Sequence, residues 1–432
     1  MLSEISGKKN TFLPELRFWL VNAMLATILL SALNLNSYCI FAILFLTIID
    51  GNWKTNLLHG FTHPVFISFL VLFLIECGGM LHTGNTKAGL KNVETSAGLI
   101  ALPFILITGK QFFSRCLWKI LRVFCFLLVA TTVYCIVLAI IQHANTGDTN
   151  SFYYHELVKP VNHHAVYFSV FLLTGIAILF ADIRKQGFDS IKIYVRLICV
   201  AWFFFIIILL ASKLMLLAAI LLIVILAPLT FTGKSRLMAS GAVIAVCISC
   251  VVILFSVDNP IQKRLRDMFS GNPELFTQNK FSTEIYFNGL QFRLLNWRFG
   301  WEILKENNAI LLGVSSGDAQ QLLNEKFLSA GMYSGDPQRN DTGYLNLNFH
   351  NQFLQTFVES GVTGLLALLF NFVLLLVLAF KRNSINAICM LVLLLLFFLT
   401  ESVLERQYGI FLYAFFPLLL MTTTLRSLHS GN

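Results

Sequence analysis

Charge is what this sequence has least of. Only 12% of its 432 residues are charged and 57% are hydrophobic, against roughly 25% charged in a soluble globular domain. Mean hydropathy is +0.75, and Phe alone occurs 41 times. A soluble enzyme with an ordinary core is excluded, because most of this chain belongs in lipid. Cysteine is missing from the one place where it would staple a fold. The nine Cys fall in or beside apolar runs, and none lies in the long polar stretch 258–349. A disulfide-bonded external domain is thereby excluded. Cys247 and Cys250 have Cys-x-x-Cys spacing, but inside an apolar run they read as buried small hydrophobes. No Cys/His spacing suits a metal, so no metal is expected. A Walker loop, a His-Glu-x-x-His pair and an Asp-x-Asp pair are absent, and no serine-hydrolase elbow is expected. NTPase, zinc protease and serine hydrolase chemistry are therefore disfavoured.

What is present is a series of apolar runs. The first sixteen residues are polar and do not read as a signal peptide. About twelve segments then have the length and composition of membrane-spanning helices. They lie near 17–33, 35–50, 64–81, 96–108, 117–141, 161–181, 194–211, 214–231, 238–257, 362–380, 385–400 and 407–425. The expected fold is an all-α polytopic membrane protein with one large external loop carrying short helices. It divides into helices 1–9 (residues 1–257), the loop (258–349) and helices 10–12 (350–432).

Basic residues orient this layout. With the N-terminus in the cytoplasm, the inside segments collect 17 Lys and Arg and the short outside loops only five. Positive charge concentrates on the cytoplasmic side of membrane proteins. Both termini are therefore expected inside and the long loop outside. Here lies the use of the net charge of +9, and nucleic-acid binding is not needed to explain it. Within the loop, a helix is expected near 290–307. Trp297 and Trp301 sit one turn apart there, as on a helix lying along a membrane surface. Gly313–Gly317 and Gly331–Gly343 read as flexible loop.

Ionisable groups near membrane depth are functional candidates by default. His350 and Asn351 lead into the tenth span. If the helix begins near there, Asn348, Gln352, Gln355 and Glu359 form one polar stripe, with His350 in the first turn. A neutral His350 could accept a proton; the bland alternative is an interfacial histidine. Arg293 could grip a phosphate or diphosphate in bidentate fashion, or stack on Trp297. Lys213, between spans seven and eight, could pair with an anion or cap a turn. Glu401 or Glu405 could pair with Arg406, Lys213 or Arg293. His163 and His164 precede the sixth span and are candidates to line a site.

Three features together resemble the O-antigen ligase family of bacterial inner-membrane proteins, which is related to the O-antigen polymerases. These are the many-span layout with one large loop, the segment Phe292-Arg293-Leu294-Leu295-Asn296-Trp297, and the run from His350-Asn351 through Glu359-Ser360-Gly361-Val362-Thr363-Gly364. Thr400–Gln407 also looks like a variant of that family. The resemblance covers roughly 210–425. It implies transfer of a polysaccharide from undecaprenyl diphosphate to a lipid A-core sugar hydroxyl, on the periplasmic face, with no cofactor. By position, His350 would be the base, and Arg293 and Lys213 would hold the diphosphate. Lys213 stands where the family often has arginine, so a bidentate fork is lost there. His164, Asn351, Glu401 and Arg406 would line the site. An O-antigen or capsule polymerase uses the same donor and is the nearest alternative. A transporter without chemistry is the alternative from another class, but no internal repeat supports it.

Overall fold

The computed structural model describes residues 2–49, 53–186, 190–231, 277–336 and 341–422, together with 241, 245 and 338. Apart from residues 241 and 245, the expected ninth span (238–257) lies outside the described residues, as do Cys247, Cys250 and residues 258–276. Among those described the chain is helical, with one isolated bridge between Asp336 and Asp341.

The helices are α1 (Leu2–Leu29), α2 (Leu33–Ile48), α3 (Trp53–Thr62), α4 (Pro64–Gly79), α5 (Thr86–Ser96), α6 (Gly98–Thr108) and α7 (Lys110–Thr146). After the short α8 (Tyr154–Val158) come α9 (Ala165–Gln186), α10 (Ser190–Leu209) and α11 (Lys213–Thr230). Two helices, α12 (Gly289–Glu306) and α13 (Ala319–Ser329), precede α14 (Gln352–Lys381), α15 (Ile385–Phe398), α16 (Gln407–Ala414) and α17 (Phe416–Met421). Among the described residues, seven helical stretches are long and apolar enough to cross a membrane, and four shorter apolar ones accompany them. The protein is an integral membrane protein.

Local chemistry explains several boundaries. Pro64 opens α4, where its missing N–H is no loss, and the His63 ring accepts the Val65 N–H. The expected fourth span, 96–108, is longer in the structure. It begins at Thr86 with a polar half, α5, whose Lys87, Lys91 and Glu94 hide it from a hydropathy reading. Asn85 caps that half by accepting the Ala88 N–H. The residue pair Ser212-Lys213 separates α10 from α11, as expected, with Ser212 as N-cap.

At the centre lies α9, whose apolar stretch is wholly buried. It packs against α7, α10, α11 and α15. A helix that is apolar all round has this place in a bundle. Outward-facing rings such as Phe41, Phe45, Phe126, Phe370 and Phe380 remain exposed, as suits a lipid-facing surface. One buried polar tie crosses the apolar interior. Asn371 of α14 donates to Ser68 of α4 and accepts from Tyr413 of α16.

The segment around α12 and α13 has a separate core built from Phe292, Leu295, Phe299, Ile303, Leu323, Phe327 and Phe349. The α12 residues recur at i, i+3, i+7 and i+11, one face of a helix. Asn288 and Gln291 form a capping box at its start. Trp297 and Trp301 lie on its outer side, 37% and 44% exposed.

The sharpest departure from regular structure is inside α14. At Gly361 the backbone turns to φ 63°, ψ −162° and the helix breaks. Residues 310–315 lie against that break. Val314 N–H donates to Val358 O, and Ser315 N–H to Glu359 O. In return Val362 and Thr363 donate to Ile310 O and Leu311 O. Both chains need glycine at the crossing. A Cβ at Gly361 would meet the Leu311 carbonyl at 2.3 Å, and one at Gly313 would meet the Glu359 carbonyl at 2.3 Å. Gly313–Gly317 is thus a wedge seated on a broken helix, not the flexible loop its composition suggests.

Candidate active site

The site is assembled where the start of α14 meets the connection between α15 and α16. Gln352 and Gln355, on one face of α14, hold that connection. Gln352 Oε1 accepts the Leu404 N–H at 2.6 Å, and Gln355 Oε1 accepts the Ser402 hydroxyl at 3.0 Å. Tyr167 of α9 donates to Ser402 O at 3.0 Å from the other side. The expected polar stripe is real for Gln352, Gln355 and Glu359. Asn348 precedes the helix and is not part of it.

His350 is also off the helix. Asn351 is the N-cap, its side chain accepting the Leu354 N–H, so His350 falls one residue before the cap rather than in the first turn. Asn is the better cap of the two, because its short side chain reaches back to the first-turn amides. His350 adopts φ 50°, a left-handed conformation uncommon outside glycine. Asn348 stabilises that turn. Its Oδ1 accepts the His350 N–H at 3.0 Å, its Nδ2 donates to Glu405, and its carbonyl accepts from Asn296 of α12 at 3.0 Å.

The turn aims the His350 ring at Glu401. Nδ1 lies 3.1 Å from Glu401 Oε2, and Arg293 Nη2 donates to Glu401 Oε1 at 3.1 Å. Arg293 is further held by Thr400 O and Gly289 O. Of the five guanidinium N–H groups, two remain for a ligand. Glu401 is 5% exposed. Burial pushes its carboxyl up, but the His350 hydrogen bond, with the charges of His350 and Arg293, outweighs burial and holds it below the usual range. It therefore stays ionised and fixes the ring. With Nδ1 turned to a carboxylate, Nε2 is the nitrogen left to take a proton when the ring is neutral.

Glu405 takes another role. It lines a recess reached by solvent, yet protein crowds around it. That burial, with the Glu401 charge and against the Asn348 hydrogen bond and the Arg406 charge, pushes its carboxyl up to about 7. Arg406 lies against aromatic rings, 5.7 Å from the Tyr167 centroid and 3.5 Å from Tyr408 Oη. Of the pairings open to Glu401, the structure selects Arg293.

The remaining candidates divide. His164 stacks edge-on with His155 and Tyr167, at 4.4 and 5.6 Å. Burial and the neighbouring His155 push it down to about 3, so it stays neutral. The His163 ring hydrogen-bonds Ile28 O at 2.9 Å and is pushed by burial to about 4. It ties the end of α1 to the start of α9. Lys213 begins α11, directly after its N-cap Ser212. Asn351 is occupied as a cap and also donates to Leu399 O at 3.4 Å. Among the described residues, no group of three His, Cys, Asp or Glu is placed to hold a metal ion.

One expectation needs correcting. Gly313-Val314-Ser315-Ser316-Gly317 does carry the Gly-x-Ser-x-Gly spacing of a serine-hydrolase elbow. Ser315, however, is fully buried, and its Oγ accepts the Gly317 N–H. The glycines serve the wedge against α14 rather than a nucleophile. Sequence reasoning also passed over Glu76, near the end of α4. A lone carboxylate at the end of an apolar run was the available signal.

A buried carboxylate against a histidine ring, with a partly exposed guanidinium beside it, is an arrangement suited to a base next to an anion-binding group. Residues 198–369 match the family model described as O-antigen ligase. The resemblance is shown over those residues, and the match supports a membrane glycosyltransferase of the O-antigen ligase/polymerase type, with glycan and lipid-linked substrates. It takes in Lys213, Arg293, His350 and the break at Gly361, and stops before Glu401. No curated protein matches the chain.

Proposed function

We propose that this protein transfers a polysaccharide from undecaprenyl diphosphate to a hydroxyl of a lipid A-core sugar, at the periplasmic face of the bacterial inner membrane. The observation that carries this reading is the cluster His350–Glu401–Arg293, within and beside the segment that matches the O-antigen ligases. The proposed topology has twelve spans, both termini in the cytoplasm, and residues 258–349 outside.

His350 Nε2 takes the proton of the acceptor hydroxyl. The oxygen attacks the anomeric carbon of the donor as its bond to the diphosphate breaks. Glu401 stabilises the imidazolium that forms. The two free N–H groups of Arg293 meet the charge developing on the diphosphate, with Lys213 as a second cation. The leaving group needs no proton, so neither a general acid nor a metal is required by this scheme. A lipid-linked donor lies in the bilayer and reaches the site from there.

The test uses purified protein in detergent, an undecaprenyl-diphosphate-linked glycan and lipid A core, without ATP or divalent metal. Glycan appearing on the core with wild type, and not with His350→Ala, is the expected result. Longer carrier-linked chains with the core untouched would identify a polymerase. No change in either lipid would favour transport.

A further inference from the structure

A recess adjoins this cluster through Glu405. It encloses ≈ 40 Å³ open to water, room for roughly three water molecules. Three carboxylates line it from three separate segments: Glu76 of α4, Glu359 of α14 and Glu405 of the α15–α16 connection. Among the described residues, no Lys, Arg or His lines it.

Several of its donors are engaged within the protein, while the hydroxyls of Thr356 and Ser360 also line it. Ser96 Oγ donates to Glu76 Oε1 at 3.0 Å, and Asn92 Nδ2 to Ser316 O at 2.8 Å. Thr95 donates to Lys91 O, and Gln352 Nε2 to Thr356 Oγ1. Each carboxylate receives one side-chain hydrogen bond, on one oxygen, from Ser96, Gln355 or Asn348. One further group points to a ligand. Ser316 is 6% exposed, lines the recess, and its Oγ is buried without a hydrogen-bond partner. An orphaned buried hydroxyl is costly.

The chamber is therefore lined by carboxyl and hydroxyl groups that pair readily with hydroxyls. It suits a neutral ligand rich in hydroxyl groups, such as a sugar, and among the described residues it offers a diphosphate no cation. The recess is joined to the base through Glu405 and Asn348, which hold the His350 turn. A sugar with one edge in the recess presents another hydroxyl toward His350. We propose that this recess is the acceptor subsite, in which Glu76, Glu359, Glu405 and Ser316 bind hydroxyl groups of the acceptor sugar in place of water. The proposal rests on the transfer reaction above and adds which sugar edge is read, and by what.

The experiment measures binding, not turnover. Purified full-length protein is titrated separately with delipidated lipid A-core oligosaccharide and with sugar-free undecaprenyl diphosphate. Wild type, Glu359→Gln, Ser316→Ala and Arg293→Ala are compared. Ser316→Ala removes a hydroxyl that has no partner, so it leaves the fold intact even if Glu359→Gln does not. The expected result is a Kd for the oligosaccharide about tenfold weaker in Glu359→Gln and several-fold weaker in Ser316→Ala, with undecaprenyl diphosphate unaffected. Arg293→Ala should do the reverse. If wild type binds the oligosaccharide and both recess variants bind it within twofold, the subsite is wrong and the reaction stands. If wild type binds no oligosaccharide, the proposed acceptor and the subsite fall together.

Discussion

His350 Nδ1 and Glu401 Oε2 lie 3.1 Å apart although 51 positions separate them in the chain. The contact exists because Gln352 and Gln355 clasp the α15–α16 connection and Asn348 holds His350 in its left-handed turn. The first prediction follows from this pair. His350→Ala should lower transfer by about 10²–10⁴-fold, the usual contribution of a positioned base. Glu401→Gln should lower it at least about tenfold while undecaprenyl diphosphate still binds. Initial rates with saturating donor measure both; full activity in Glu401→Gln would remove the carboxylate from the mechanism.

Arg293 holds Glu401, and in the proposed reaction it also meets the diphosphate. Arg293→Ala should cost about 10²–10³-fold in transfer, by loss of charge stabilisation. Arg293→Lys should retain part, since a point charge keeps the attraction but loses the fork. Rates at several ionic strengths check it, and equal loss in both variants would count against an electrostatic role.

Glu405 supplies a pH dependence. Its folded-state carboxyl is raised to about 7 from an ordinary 4.5. The folded protein therefore binds a proton more readily than the unfolded chain between those values. Stability should rise as pH falls from above 7 toward 4.5, and the gain should level off below that. Glu405→Gln should reduce the slope in this window. Thermal inactivation midpoints from pH 4.5 to 8.5 decide the matter.

Gly361→Ala should destabilise strongly. The positive φ alone costs about 1–3 kcal/mol for a residue with a Cβ, and the Leu311 carbonyl adds a clash. Gly78→Ala in α4, where a Cβ meets nothing within 4 Å, is the matched control. Comparable inactivation temperatures for the two would show the break to be dispensable.

Much of the architecture was legible because lipid enforces long apolar runs. The helix at 290–307 was readable from its Trp pair and apolar face, and the Ser212-Lys213 division from two polar residues in a run too long to cross once. The polar half of the span at Thr86 was not, since α5 looks like a loop to any hydropathy window. Within the site, His350 and Arg293 stood out as ionisable residues in polar surroundings. The choice of Arg293 over Arg406 as partner for Glu401 was not readable, because it depends on how two Gln side chains fold the connection back. Nor was the role of Asn348, which comes from three hydrogen bonds to distant segments. The Gly313–Gly317 run misled most: glycines that permit close packing look the same in sequence as glycines that permit motion.

The break at Gly361 has a practical meaning for exchanging parts between related proteins. Residues 310–315 complete the hydrogen bonding of a membrane helix they do not belong to, and they bring Ser316 to the recess. Transplanting the outer segment alone would leave the recipient's α14 with orphaned carbonyls and a gap where the wedge had been. The smallest portable unit runs from α12 past Gly364, and specificity grafted in smaller pieces should arrive with a damaged host.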